Sequence, residues 1–322
     1  MREPLTVAVA QPVCVPYDVG VNARAHAAAV RAARARVVVF PELSLTGYEL
    51  DAPALSPDDP RLAPLLDACR ETGTLALAGA PVPGDPSGDA IGMLAVGDEV
   101  TIAYRKLNLG DAEANRFTPG ARPAVLTVDG WRLGLAICKD LGVPEHAART
   151  AALGIDAYVA GVCDHDPVVL GERAHRVATT RDVWVAVASF AGNTGPYAPA
   201  AGHSGVRAAG GAVIAQAGPD TGETARATLH APVLIDGGDK SCVRLLLELR
   251  GHIAGLGPGT VVHLIATDPA APIDLPAWCH LTGHTYLGPV ASTDAPGERP
   301  AYALQVVADA RPTDPDSPWR PR

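Results

Sequence analysis

The sequence predicts an α/β fold in two parts: mixed β-sheets with helices packed on their outer faces, then a small two-layer α/β sandwich. Three observations predict it. Apolar runs of strand length recur through the first 230 residues and alternate with alanine-rich amphipathic segments. The stretches 81–100 and 101–137 read as hairpins rather than crossovers, which makes the sheets mixed. Near residue 230 the rhythm changes, and a β-α-β-α-β-β string begins that is about the size of a small independent domain.

Taken in order, LTVAVAQ (5–11) reads as the first strand and VNARAHAAAVRAARAR (21–36) as an amphipathic helix. RVVVFPE (36–42) reads as a buried strand, followed by strands TLALAGAPV, AIGMLAVG and VTIAYRK. RLGLAIC (132–138), AYVAGV, VWVAVASF and AVIAQAG complete the strands of the larger part, with VVLGERAHRVATTRD (168–182) as a second helix. The smaller part restarts at LHAPVLIDGGDKS with a strand and a glycine pair. Helix CVRLLLELRGHIAGL, strand TVVHLIATD, helix PIDLPAWCHLTGH and strands TYLGPV and YALQVVA follow. The predicted domains are therefore 1–230 and 231–311. The tail 312–322, PTDPDSPWRPR, has no apolar periodicity and is expected to be disordered.

A chain of 322 residues suffices for one large and one small domain, and 48% hydrophobic content supports buried cores. A formal net charge of −9 and the lack of a Lys/Arg block argue against nucleic acid as a partner. The N-terminal MREPLTVAVAQPV lacks signal-peptide architecture, and no run reaches the roughly 18 apolar residues of a membrane span. A cytoplasmic protein without membrane association is expected. The six cysteines (Cys14, Cys69, Cys138, Cys163, Cys242, Cys279) lack paired spacing, so no disulfide framework is expected and any reactive thiol must be argued individually.

Three strand ends in the larger part carry reactive side chains. Glu42 ends RVVVFPE, Lys106 follows VTIAYR and Cys138 ends WRLGLAIC, each where strands can open into a crevice. A thiol needs a base to become a thiolate, and a nearby carboxylate can accept its proton. A lysine, with the backbone N–H after the nucleophile, can stabilise a developing oxyanion. Together they form a plan for attack on an amide or nitrile carbon. Singly, Cys138 reads as a core cysteine, Glu42 as a loop or cap residue and Lys106 as a solvated lysine. Cys163, Asp164, His165 and Asp166 look like a metal cluster, but their sequential packing lacks ligand spacing, so no metal is expected.

The words around these residues decide between the readings. FPELSLTGY, YRKLNLGDAEANRFTPG and GLAICKDLGVPE resemble, in order and spacing, the three signature blocks of the nitrilase superfamily of carbon–nitrogen hydrolases, over roughly residues 5 to 229. The opening VAVAQ, ERAHRVATTRDVWVAVASFAG and HSGVRAAGGAVIAQAG fit as well. The resemblance implies an α-β-β-α sandwich in which Glu42 is the general base, Lys106 the oxyanion stabiliser and Cys138 the nucleophile. It maps a second glutamate onto Glu113 and the oxyanion N–H onto Lys139, and it implies no cofactor and a homo-oligomer. The loop at Cys163, Asp164 and His165, and Tyr48, are expected to line the substrate pocket. Two departures bear on substrate class. Thr179-Thr180-Arg181-Asp182 stands where many relatives have a glutamate–asparagine pair, and Ser189 where asparagine is common. The C-terminal extension that supports dimerisation in many relatives is missing.

The smaller part, roughly 232–310, resembles the sulfur-carrier and sulfurtransferase family typified by the TusA proteins, best in ATDPAAPIDLPAWCHLTGH. The family's sulfur-carrying cysteine maps onto Cys242, at a helix start where free N–H groups and the helix dipole favour a thiolate or persulfide. A sulfur-donor or sulfur-acceptor protein would then be its partner, with Asp239 as an alternative cap and Lys240 adding positive charge. The usual Cys-Pro-x-Pro is here Cys242-Val243-Arg244-Leu245, without either proline. Cys279 reads as a packed core thiol.

Two functions are expected from these readings. The leading one is an amidase- or carbamoylase-type hydrolase of a small amide, acting through a Cys thioester and linked to sulfur metabolism by the fused domain. The other is a sulfur-relay protein in which the large domain is a partner or scaffold.

Overall fold

A computed structural model describes residues 2–290 and 299–321 of the chain. The chain divides into two compact units, Leu5–Leu229 and the residues from His230 on together with residues 2–4.

The larger unit opens with β1 (Leu5–Ala10), α1 (Val19–Ala33), β2 (Val37–Val39) and α2 (Ala63–Thr72). Strands β3 (Leu75–Pro83), β4 (Asp89–Val96) and β5 (Val100–Arg105) form a meander, and β6 (Val125–Val128) pairs with β7 (Trp131–Ile137) as a hairpin. Then come α3 (Lys139–Gly142), α4 (Pro144–Ala151), β8 (Ala157–Val162), α5 (Pro167–Arg181) and β9 (Trp184–Ser189). The unit closes with β10 (Ala191–Thr194), β11 (Tyr197–Ala201), β12 (Gly205–Arg207), β13 (Val213–Gln216) and β14 (Thr224–Leu229).

Twelve of these strands build two six-stranded mixed sheets, β14-β1-β2-β3-β4-β5 and β13-β12-β9-β8-β7-β6, and β10 and β11 pair separately. The reason lies in the strand sequences. Val7, Val9, Val37, Val38 and Val39 are all buried, so both faces of these strands need cover. On one face, Ala8, Ala10 and Val38 pack with Ala23, Ala27 and Val30 of α1 and Leu65 and Ala68 of α2. The other face lies against the second sheet, with β1 and β2 facing β8 and β9. The outer face of the second sheet is covered by Leu141, Ala147, Leu170, Ala174 and Val177, so the unit is a four-layer α-β-β-α sandwich. One connection differs from the expected hairpin over 101–137. The strand at 100–105 pairs back onto β4, and the chain then crosses to the other sheet before β6. The crossing loop is the one that carries Lys106 and Glu113.

In the smaller unit β15 (Val233–Asp236), α6 (Cys242–Ile253), β16 (Val261–Ile265), α7 (Ala271–Thr282), β17 (Thr285–Val290) and β18 (Ala301–Gln305) form a sheet of order β15-β16-β18-β17. Leu245, Leu246 and Leu249 of α6 and Leu275, Trp278 and Cys279 of α7 pack against Val262, Leu264 and Leu304 of the sheet, giving two layers. The expectation of a disordered tail is corrected: β19 (Thr313–Asp314) and β20 (Ser317–Pro321) form an antiparallel ribbon. Its turn is closed by Asp316 N–H donating to Asp314 Oδ1 at 2.9 Å. Thr313 and Pro318 are buried, and Arg250 Nη1 of α6 donates to Thr313 O. Proline and an aspartate turn, rather than apolar periodicity, specify this ribbon, which is why a search for periodicity passes over it.

Candidate active site

Three loops leaving strand ends converge in the larger unit. The Phe40–Leu43 turn after β2 passes between β3 and β8, which must carry glycine there. A Cβ on Gly79 would collide with the backbone of Pro41, Glu42 and Leu43, and one on Gly161 would lie 2.5 Å from Phe40 O. Lys106 is held by its backbone, its N–H donating to Ile91 O and its carbonyl accepting from Gly120 N, both at 2.8 Å. Cys138 caps the short helix α3 with φ 43° and ψ −100°, a left-handed conformation that a side chain rarely adopts. Its N–H donates to Gly161 O at 3.0 Å. Such strain, of order 1–3 kcal/mol, persists only where surrounding structure over-determines it.

Lys106 is the hub of the site. Its side chain is 1% exposed, and Nζ donates to Glu42 Oε1 at 2.7 Å and to Glu113 Oε1 and Oε2 at 2.7 and 2.8 Å. Glu113 also accepts from Tyr48 OH at 2.6 Å and from Gly110 N–H at 2.6 Å. Glu42 Oε2, by contrast, is buried without a hydrogen-bond partner, and the Cys138 thiol lies close enough to help stabilise the carboxylate's charge. Cys138 Sγ donates to Cys163 O at 3.3 Å.

This asymmetry separates the two carboxylates. Burial pushes Glu42 up to about 7 even against the Lys106 ammonium, and the Glu113 charge adds to the rise. Burial would also raise Glu113, but the Lys106 charge and the hydrogen bonds from Lys106, Tyr48 and Gly110 outweigh it and hold Glu113 below its ordinary value. Burial would lower Lys106, yet Glu42, Cys138 and Glu113 together hold it above its ordinary value. Burial, and then the Glu42 charge, raise the Cys138 thiol, so it rests protonated. Two titratable groups driven apart in this way are the usual mark of divided acid–base roles.

The structure thus brings Glu42, Lys106, Glu113 and Cys138 together, with Tyr48 and Cys163 against them. The Lys139 N–H, the first amide of α3, is beyond the reach of any carbonyl in its own helix. The Lys139 side chain donates to Leu109 O at 2.7 Å, tying the two loops. Asp164 pairs with Arg173 at 3.0 Å, and the His165 side chain is 76% exposed, its ring 6.4 Å from that of Tyr197. Tyr197, which sequence reasoning passes over, stands edge-on to Tyr48 at 5.2 Å, and burial, then the charges of Cys163, Cys138 and Glu42, push its hydroxyl up. A second group missed is a buried network beneath the nucleophile. Asp140 accepts from Asn108 N and Nδ2, from Ile137 N and from Tyr104 OH, at 2.7–3.1 Å. Tyr104 OH therefore receives the His146 Nε2–H, whose Nδ1 accepts from Tyr158 OH, both at 2.8 Å. Its signal in the sequence is the matched spacing: Asn108 lies two residues after Lys106, and Asp140 two after Cys138.

Cys242 is placed differently from the sequence expectation. It begins α6 but is only 2% exposed, and its N–H donates to Asp268 Oδ2 at 2.7 Å, so Asp268 rather than Asp239 caps it. Burial, reinforced by Asp274 and Asp268, pushes its thiol up to about 12. Lys240 pairs with Glu248 instead of facing the sulfur. Among the described residues no group of three His, Cys, Asp or Glu side chains could hold a metal ion. No helix among them is long and apolar enough to cross a membrane.

Comparison with known proteins places this geometry. A hydrolase encoded in the pqqF 5′ region of Pseudomonas protegens is 30% identical over 218 residues, 64% of this chain and 76% of that protein. An (R)-stereoselective amidase of a Pseudomonas species is 28% identical over 135 residues, 41% of this chain and 49% of that enzyme. A 70-residue stretch, 22% of this chain, is 33% identical to the putative sulfur carrier protein YrkF of Bacillus subtilis, covering 36% of that protein. Among solved structures, Saccharomyces cerevisiae Nit3, a member of branch 10 of the nitrilase superfamily, superposes with a TM-score of 0.63 at 21% identity, over 70% of this chain and 90% of its own. An amidase from Nesterenkonia sp. AN1 in complex with butyramide superposes with a TM-score of 0.62 at 23% identity, over the same shares. The model of the carbon-nitrogen hydrolase family matches residues 6–235, a span that contains the whole Glu42–Lys106–Glu113–Cys138 cluster, and the chain belongs to that family.

Proposed function

We propose that the protein is an amidase that hydrolyses a small linear amide through a thioester on Cys138. The observation that carries this reading is the division of the two buried carboxylates: Glu113 is saturated by hydrogen bonds, whereas Glu42 keeps one oxygen free beside the thiol. Glu42 takes the Cys138 proton and the thiolate attacks the amide carbon. The oxyanion is held by the Lys106 ammonium and the Lys139 N–H. Glu42 returns the proton to the nitrogen, the C–N bond breaks and the amine leaves. Glu42 then takes a proton from water, whose oxygen displaces the thiolate to release the acid, and passes that proton to the Cys138 sulfur to restore the starting state. Glu113 and Tyr48 act by positioning Lys106.

The deciding experiment is intact mass spectrometry during turnover of an amide panel led by butyramide, with release of ammonia measured in parallel. An acyl adduct on Cys138 supports the reading; turnover without any cysteine adduct overturns it. Because Glu42 must be ionised to accept the thiol proton and sits at about 7, kcat/KM falls as pH drops below about 7, tenfold per pH unit along a one-proton limb. A pH–rate profile flat from 5 to 8 excludes Glu42 as the base.

The second reading, sulfur relay through Cys242, draws support from the partial likeness to YrkF. The acidic, covered surroundings of Cys242 oppose it, since a persulfide carrier needs an accessible thiol of low pKa. Cys242→Ala therefore leaves amide turnover within twofold of wild type, and persulfide labelling of the wild-type chain finds no sulfur on Cys242. Labelled sulfur at that position reinstates the relay.

A further inference from the structure

A cavity of about 340 Å³ lies in the smaller unit, between the C-terminal turns of α6 and α7 and the segment that leads into the C-terminal ribbon. Its volume is that of a small-molecule site. The walls combine apolar side chains such as Ile253 with two cations, Arg250 and Arg311, and include no carboxylate. Neither arginine has an ion-pair partner among the described residues; Arg250 Nη1 meets only the neutral Thr313 carbonyl.

Three lining side chains hold a buried polar atom with no hydrogen-bond partner: Arg250 Nε, Trp278 Nε1 and Thr313 Oγ1. Trp278 and Thr313 are each 1% exposed. Orphaned donors of this kind are costly and are rare in native proteins unless something else pairs with them. His284 lies 5.6 Å from the Trp278 ring at a shallow tilt, and its Nδ1 accepts from Val307 N–H, which leaves Nε2–H as a further donor when the ring is neutral. Two guanidinium groups and the side chains of Trp278, His284 and Thr313 thus line a cavity of mixed polar and apolar walls that includes no carboxylate.

We propose that this cavity is a binding site for a small organic carboxylate, its anionic head on Arg250 and Arg311 and its apolar body against Trp278 and Ile253. A guanidinium fork matches a carboxylate bidentately, and the apolar side chains of Ile253, Leu256 and Trp278 give an organic body contacts that a bare inorganic anion lacks. The site belongs to the smaller unit alone and uses none of the Cys138 cluster.

Benzoate is the probe, titrated into the full-length chain labelled with ¹⁵N at its four tryptophans. Trp278→Phe identifies the Trp278 indole signal. Saturable movement of that signal by benzoate, with no comparable movement by benzyl alcohol or by inorganic phosphate, supports the site. Arg250→Gln and Arg311→Gln each weaken the benzoate response at least tenfold, while the Trp278 indole signal of each ligand-free variant stays dispersed as in the wild type and shows that the smaller unit is folded. A stationary Trp278 signal, an equal response to benzyl alcohol or phosphate, or undiminished binding in both arginine variants overturns the proposal.

Discussion

Cys138→Ala abolishes amide turnover, by at least about 10⁴-fold, because removing a nucleophile from an interdependent catalytic group leaves only the residual effects of binding and the oxyanion donors. The fold is expected to survive. The Cys138 thiol donates to the Cys163 carbonyl, and the turn is held by backbone bonds and by Asp140 rather than by sulfur. Removing one buried sulfur costs little beside what the carboxylate hub contributes, so the thermal midpoint moves by a few degrees at most while activity disappears. Alanine can strain the φ 43° position no more than cysteine already does. The measurement is ammonia release under saturating amide together with a melting curve. Full turnover by a folded variant removes Cys138 from the mechanism altogether.

Lys106→Met combines a catalytic loss with the largest loss of stability expected at the site. The substitution keeps an unbranched side chain one atom shorter and removes the charge that lies between two buried carboxylates. Breaking a buried ion pair by removing one partner typically costs about 3–5 kcal/mol, since the remaining charge stays buried. Catalysis drops with the oxyanion donor, by on the order of 10²–10³ in kcat.

The pH dependence of that instability has a definite sign. Without Lys106, the chief influence lowering Glu42 and a chief one lowering Glu113 are gone, and burial holds both folded-state values above those of the unfolded chain. A carboxyl of raised value binds more protons when folded, so stability falls as pH rises through the window between the unfolded and folded values. The variant is therefore closest to wild type at acidic pH, where both carboxyls are neutral, and furthest from it at pH 8. Urea midpoints of both proteins across pH 5 to 8 measure this. A gap that is constant over the range refutes the account of Lys106 as the counter-charge of two buried carboxylates.

The larger unit was readable because its signals are local. Valine-rich runs such as Val37–Val39 must be covered on both faces whatever they pair with, and alanine-rich α1 and valine- and alanine-bearing α5 supply the covers. Glu42, Lys106 and Cys138 could be singled out because each ends an apolar strand inside a stretch that resembles a family signature. The C-terminal ribbon was not readable in this way. Its order depends on Thr313 and Pro318 finding cover on helices far away in sequence.

Cys242 shows the same limit from the other side. The sequence places a thiol at a helix start, which by itself favours a thiolate. Asp268 and Asp274 reverse the sign, and they come from 26 and 32 positions further on, as only folding reveals.

By itself, then, the sequence determined the apolar strands of the core, which of their ends carry a carboxylate, an ammonium and a thiol, and the kind of fold that gathers them. Tertiary structure alone decided how these groups charge one another. Two glutamates of the same chemistry become different acids because one is saturated by Lys106, Tyr48 and Gly110 while the other shares Lys106 and keeps an oxygen bare. Burial and distance set those differences, and neither is a property of a residue until the chain has closed around it.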